Sequence, residues 1–180
     1  AVKVGFDKTV DITTGPVIDA RAWTRLKGLV DDAVSEGATL LAGGDRPAGL
    51  NAGHYLAPTV LTDVTETMAV YREETFGPIV SIVPFDTKTD LLRMANDCEE
   101  GGLTAYIFTR NLARAEQYAA RLRYGEIQIN GVKYDINLPH GGIGQSGIGH
   151  DCSALALHDY LVHKRITRAL DTTTFGGLNP

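Results

Sequence analysis

Between residues 79 and 130 the chain alternates strand-like and helix-like periodicity in one order, and that order leaves few ways to fold. Residues 79–85 form an apolar run of strand length, and Thr87-x-x-Asp90 opens a helical stretch through about Asp97. Residues 103–109 read as a second strand. Asn111 then caps a helix carrying Leu112, Ala115, Tyr118, Ala119 and Leu122 along one side, and residues 126–130 form a third strand. Strand, helix, strand, helix, strand requires crossover connections, so the expected class is α/β, an open sheet with crossover helices. Upstream, residues 20–37 place Trp23, Leu26, Val30, Ala33 and Val34 near one helical face and stop at Gly37. Residues 39–42 and 55–61 suit short strands, the second an edge or irregular strand because Pro58 lacks a ladder donor.

After Asn130 the periodicity ends. Residues 131–150 hold six glycines and one proline, the composition of a long loop, and ordered loops of that length usually carry function. Residues 151–161 suit a short helix, Val162-His163-Lys164-Arg165-Ile166-Thr167 a polar edge strand, and residues 171–180 a tail. At 180 residues and 43% apolar content the chain can fill one core and leave a small appendage. Its net charge of −5 and the lack of a basic run argue against a nucleic-acid partner. No apolar run approaches the roughly 18 residues that cross a bilayer. Two cysteines, Cys98 and Cys152, fit a reducing compartment, and a cytoplasmic location is expected. The opening Ala1-Val2-Lys3 has neither an initiator Met nor a signal-peptide pattern, so it reads as mid-protein.

Several short patterns invite chemistry. Gly142-Ile143-Gly144-Gln145-Ser146-Gly147 satisfies G-x-G-x-x-G by letter, but Pro139-His140 precedes it where a buried strand is needed, and no acid follows about 20 residues on. A glycine-built turn is the better reading. His140, His150, His158 and His163 fall near Cys152 without the spacing of a structural zinc site, so no metal is expected. Cys152 stands at an expected helix N-terminus, which would favour its thiolate, although a small buried thiol is the commoner outcome. Cys98 lies beside Glu99 and Glu100, which disfavour a thiolate. Glu73-Glu74-Thr75-Phe76-Gly77-Pro78 is more informative: it sets a carboxylate and an aromatic ring at the edge of a sheet, just before a buried strand. A carboxylate there can accept two hydrogen bonds from a vicinal diol, and a ring can close one side of a flat heterocycle. On these grounds alone the segment is equally a loop with a solvated acid pair.

Taken together, ordered segments over residues 3 to about 167 resemble the C-terminal part of the aldehyde dehydrogenase superfamily. They include Gly53-His54-Tyr55 with Ala57-Pro58-Thr59-Val60-Leu61, Glu73-Glu74-Thr75-Phe76-Gly77-Pro78, Gly102-Leu103-Thr104-Ala105, Ile129-Asn130, and Pro139-His140-Gly141-Gly142 through Ser146-Gly147-Ile148-Gly149. The resemblance implies oxidation of an aldehyde to a carboxylic acid with NAD or NADP taking the hydride. In such enzymes a cysteine thiolate attacks the carbonyl and a glutamate-activated water hydrolyses the thioester. By the same resemblance Glu74 would hold the nicotinamide ribose hydroxyls and Phe76 would pack by the nicotinamide. The loop 131–140, with His140, would line the substrate entrance. Residues 162–167 would pair with a neighbouring subunit's sheet, giving a homo-oligomer, dimer or tetramer.

The departures matter as much. Neither Cys98 nor Cys152 matches the family's nucleophile, and the general-base glutamate and dinucleotide domain have no counterpart in the chain, so no residue here is assigned a catalytic role. His140 stands where the family has an aromatic, Gly144 where it has a lysine, and His150-Asp151 where it has Arg-Glu. The expected organisation is a partial catalytic domain over 1–150, a short helix and oligomerisation strand over 151–168, and a tail over 169–180. The expected function is that of the C-terminal part of an NAD(P)-dependent aldehyde dehydrogenase, inactive by itself. The alternative is a non-catalytic, family-derived module for subunit binding or oligomerisation. Either way, some apolar residues that are core in a parent protein should be exposed here.

Overall fold

The computed structural model describes residues 2–6, 11–97 and 101–168. Helix α1 (Ala20–Ser35) starts where Asp19 Oδ1 accepts the Ala22 N–H at 2.8 Å. It stops in a Schellman arrangement: the Ala38 N–H donates to the Ala33 carbonyl at 2.9 Å and the Gly37 N–H to the Val34 carbonyl at 3.1 Å. Its buried face is Leu26, Leu29, Val30 and Ala33, the i, i+3, i+4, i+7 set. Val34, expected on that face, is 42% exposed because the i+8 position falls at its margin.

Strands β1 (Thr39–Ala42), β2 (Thr59–Thr62) and β3 (Ile79–Ser81) form one sheet in that order. The β1–β2 pair is antiparallel with an irregularity between Leu40 and Ala42, and β3 runs parallel to β2 with Thr59 opposite Ile79. The expected edge strand at 55–61 is corrected: β2 is the central strand. Pro58 sits one residue before it and removes no ladder donor, and pairing begins at the Thr59 N–H, which donates to the Pro78 carbonyl at 2.8 Å. Thr59 is 1% exposed, and its hydroxyl accepts from the Gly44 N–H at 2.9 Å and donates to the Ala57 carbonyl at 2.8 Å. Leu26, Val30, Leu56, Leu61, Met68 and Ile79 close the core between α1, this sheet and the short helix α2 (Ala69–Arg72).

A second sheet holds β4 (Thr104–Ile107) and β5 (Glu126–Ile129), parallel, joined across helix α4 (Leu112–Ala119). The α/β class with crossover connections stands, and its strands are divided between two small open sheets, because β3 takes β2 as its neighbour. Helix α3 (Leu91–Asn96) is shorter than the expected stretch from Thr87. Asp86 ties the Lys88 and Thr89 N–H groups into a turn at 2.8 and 3.0 Å, which leaves Asp90 as the cap, accepting from the Arg93 N–H at 3.1 Å. This helix fastens the two sheets together. Tyr71, from α2, donates to the Met94 carbonyl at 3.0 Å, and Tyr124, beside β5, donates to the Ala95 carbonyl at 2.8 Å. Arg93 also takes both Glu66 carboxylate oxygens at 2.8 Å.

Asn111 caps α4 as expected, its side-chain oxygen accepting the Arg114 N–H at 3.0 Å. Replacing it with Ala removes that acceptor from an eight-residue helix. Asn111→Ala is expected to cost about 1 kcal/mol, read as a lower midpoint in urea unfolding with unchanged slope.

Near the C-terminus the expected helix at 151–161 is a 3-10 helix (Ala154–Tyr160). Residues 162–167, expected as an edge strand, form no strand among the described residues, and Val162 is 97% exposed. Cys98 and the expected tail at 171–180 lie outside the described residues. Among the described residues no helix is long and apolar enough to cross a membrane.

Candidate active site

The 73–78 segment leaves the end of α2 in extended conformation at Glu73 and runs beside α1, next to Arg25 and Leu26. Arg25 on α1 holds its main chain, donating from its guanidinium to the Glu74 carbonyl at 3.3 Å and to the Thr75 carbonyl. At Gly77 the chain touches the core: a Cβ there would lie 2.5 Å from Leu26 Cδ1. Only glycine permits so close an approach to a fully buried leucine. Pinned on one side by Arg25 and on the other by Gly77 and the Pro78 carbonyl, the segment turns Glu74 and Phe76 outward.

Phe76 sits at φ +45° with 82% of its surface exposed. A bulky residue in the left-handed region with its ring in solvent gains no burial in return for the strain, a combination found where a ring is held ready for a ligand. Arg25, Glu73, Glu74, Phe76 and Gln145 line a groove of about 400 Å³. Gln145 comes from the glycine-rich loop, in a 3-10 turn (Gly144–Ser146), so that loop forms the groove's far wall. The six residues from Gly142 are entered from a loop and followed by no α-helix among the described residues, in keeping with a glycine-built turn.

His140 stands in a neighbouring cluster, outside the groove lining. Its backbone pairs with Asp151 through bonds of 2.9 and 2.7 Å. Its Nδ1 lies 2.9 Å from Glu126 Oε2. The Tyr134 ring meets the imidazole edge-on at 5.4 Å, and the Tyr134 hydroxyl is 2.7 Å from Cys152 Sγ. Glu126, at the start of β5, also accepts from Gln128 Nε2 at 2.7 Å. The hydrogen bond from His140, opposed by partial burial and helped by Gln128, lowers the Glu126 carboxyl below its ordinary value. The thiol of Cys152, with lesser help from burial and nearby charge, raises the Tyr134 hydroxyl.

A depressed carboxyl stabilises the fold above its ordinary pKa of 4.5, and that contribution is lost as pH falls through the lower folded value. Stability of the native chain should therefore decline more steeply below the ordinary glutamate range than that of Glu126→Gln. Urea midpoints measured across the acid range check this, and parallel curves would contradict it.

The structure thus brings Glu74 and Phe76 together and links them to the His140 loop through Gln145. Arg25, Gln145 and Glu126 escaped the sequence reading. Glu126 and Gln128 at alternate positions of one strand were the available signal, since two polar residues on one strand face need partners. Cys152 precedes a 3-10 helix and not the α-helix expected, with φ +61° at its own position and +53° at Ser153. The His158 and His163 rings stack at 6.1 Å, and among the described residues no three His, Cys, Asp or Glu side chains converge as a metal site.

A family model described as the aldehyde dehydrogenase family matches residues 1–166. The chain is 34% identical over 163 residues to a chloroplastic betaine aldehyde dehydrogenase from Atriplex hortensis, covering 90% of this chain and 32% of that protein. It is 38% identical over 161 residues to a glutarate-semialdehyde dehydrogenase from Pseudomonas putida, covering 89% and 32%. Among solved structures, the Mycobacterium tuberculosis aldehyde dehydrogenase complexed with NAD+ superposes with a TM-score of 0.82 at 34% identity, over 89% of this chain and 33% of that one. A Staphylococcus aureus betaine aldehyde dehydrogenase in complex with NAD+ gives 0.81 at 34% identity, over 95% and 35%. The chain spans about a third of the length of the curated relatives it matches.

Proposed function

The chain belongs to the aldehyde dehydrogenase family, and from that membership we propose that it forms the nicotinamide-ribose side of the cofactor site and part of the substrate entrance of an NAD(P)-dependent aldehyde dehydrogenase. The observation that carries this is the groove at 73–78, where a carboxylate and a strained, exposed ring face one space of about 400 Å³. That donor set suits half of a dinucleotide. Glu74 accepts hydrogen bonds from the two ribose hydroxyls, Phe76 packs beside the flat nicotinamide, and Arg25 fixes the backbone that carries both. When bound, the cofactor supplies the hydride acceptor for converting an aldehyde to a carboxylic acid. Cys152 is engaged with Tyr134 and lies with the entrance cluster, and the proposal gives it no catalytic role. The proposal assigns the thiolate, the general base and the adenosine-binding residues to segments other than this one.

The surface supports the same reading. Leu41, Tyr106, Phe108 and Leu112 are exposed, and an apolar groove of about 420 Å³ opens between Phe85, Leu92, Tyr106, Phe108, Tyr118 and Tyr124. Faces of this kind are suited to packing against the rest of a catalytic domain. The proposed division is a partial catalytic domain over 1–150 followed by an assembly segment over 151–168. Residues 162–167, with Val162 and Ile166 in solvent, are suited to adding a strand to a neighbouring subunit's sheet, making a homo-oligomer. The proposed compartment is the cytoplasm.

The test is aldehyde-dependent reduction of NAD or NADP by the 180-residue chain alone and by a product carrying this segment within a longer chain. Activity of the longer product and inertness of the chain alone are expected. An inert chain that nevertheless assembles tightly onto longer copies, with no activity in the assembly, would favour the non-catalytic module.

A further inference from the structure

The Glu126–His140 pair is more than an ion pair beside a loop. The ring's hydrogen bonding with described residues ends at Nδ1, 2.9 Å from an ionised carboxylate that is itself held by Gln128 and, more weakly, by Thr104 Oγ1 at 3.4 Å. A carboxylate only accepts, so Nδ1 must carry the proton, and in the neutral imidazole Nε2 is then a bare acceptor. The ring cannot turn away from this arrangement cheaply. Its backbone is paired on both sides with Asp151, Tyr134 abuts it edge-on, and Tyr134 is anchored at Cys152. The Glu126 and Asp151 carboxylates both act on the Tyr134 hydroxyl beside it, so the surround is acidic.

We propose that Glu126 is a positioning residue that fixes the orientation and tautomer of His140, so that in the neutral ring Nε2 presents a hydrogen-bond acceptor at the substrate entrance and selects aldehydes bearing a hydrogen-bond donor, an ammonium or hydroxyl, at the end remote from the carbonyl. The assignment of an entrance rests on the function proposed above. The positioning itself does not. A carboxylate-terminated aldehyde would meet a lone pair and an acidic surround, and both repel it.

Two measurements separate the claims. Long-range proton–nitrogen correlation on the 180-residue chain, at alkaline pH, reports which His140 nitrogen carries the proton. The wild-type chain is expected to show Nδ1–H with Nε2 unprotonated. Glu126→Gln, whose amide can donate or accept, should move the ring toward the Nε2–H form that free imidazole side chains prefer. Nε2–H in the wild type, or the same tautomer in both chains, overturns the positioning role. If Glu126→Gln does not fold, the wild-type tautomer alone decides. The second measurement uses a catalytically competent protein containing this segment, with ω-amino and ω-carboxy aldehydes of equal length. Glu126→Gln should lower the kcat/KM ratio of amino over carboxy substrate by about 10-fold or more, through KM, with Glu126→Asp intermediate. An unchanged ratio overturns the selectivity. If no aldehyde is oxidised by the wild-type protein, the function proposed above fails, while the spectroscopic result stands or falls separately.

Discussion

Gly125→Ala is expected to detach the glycine-rich loop from the second sheet. A Cβ at Gly125 would sit 1.8 Å from the Gly141 carbonyl oxygen, 2.8 Å from its carbon and 3.1 Å from Gly142 Cα. All three are backbone atoms, so no side-chain rotation relieves the clash, and either β5 or the loop must move. The same join is fastened by the Gly125 and Ile143 N–H groups, which both donate to the Gly102 carbonyl at 2.9 and 3.1 Å. Overpacking usually costs about 1–3 kcal/mol where side chains can adjust, and a backbone-to-backbone overlap belongs at or above the top of that range. The loss should not stop at stability. His140 precedes Gly141 and Glu126 follows Gly125, so separating the glycines pulls the 2.9 Å His140–Glu126 bond apart. An unfolding free energy lowered by about 3 kcal/mol or more in urea titration, faster proteolysis within 131–150 and loss of the His140 tautomer bias are expected together. Gly149→Ala is the control, since its Cβ would meet only Asp159 Oδ2 at 3.9 Å. If Gly125→Ala matched Gly149→Ala in midpoint and loop cleavage, the docking of the loop on β5 would be wrong.

Glu74→Ala should be the most damaging change in the groove for cofactor use. A carboxylate accepting two hydroxyls of one ribose makes charge-assisted bonds, each worth about 1.5–3 kcal/mol, and part of that is regained by water in an open groove. The expected result in a catalytically competent protein containing this segment is a KM for NAD(P) raised about 10- to 100-fold, with a smaller change in kcat. Glu74→Gln should fall between the two, because it keeps an acceptor and loses the charge. Glu73→Ala, one residue along the same groove, serves as the comparison. Equal effects at 73 and 74 would mean that the groove attracts the cofactor by general charge alone.

Much of the fold was legible because periodic and capping signals agreed. The α1 boundaries follow from Asp19, the 26-29-30-33 stripe and Gly37, and the β4–α4–β5 crossover follows from Asn111 and the flanking apolar runs. What failed depended on which strand pairs with which. Pro58 looked like an edge signal, yet it stands just outside β2, and a proline's register relative to a ladder is a tertiary fact. The grouping of β3 with β2, and not with β4, is likewise set by long-range pairing that local patterns do not encode. The site divided the same way. Glu74 and Phe76 stood out because an acid, an aromatic and a Gly-Pro turn adjoin in sequence. Arg25, Gln145 and Glu126 did not, since each reaches its partner from a distant element.

The central claim is that the 73–78 segment is the nicotinamide-ribose side of a dinucleotide site. The most direct test is the experimental structure of a protein containing this segment with NAD(P) bound. The expected result is both Glu74 carboxylate oxygens within hydrogen-bonding distance of the nicotinamide ribose hydroxyls, about 2.5–3.0 Å for O–H···O, and the Phe76 ring against the nicotinamide. A cofactor bound with its nicotinamide ribose remote from Glu74 and Phe76 would contradict the account.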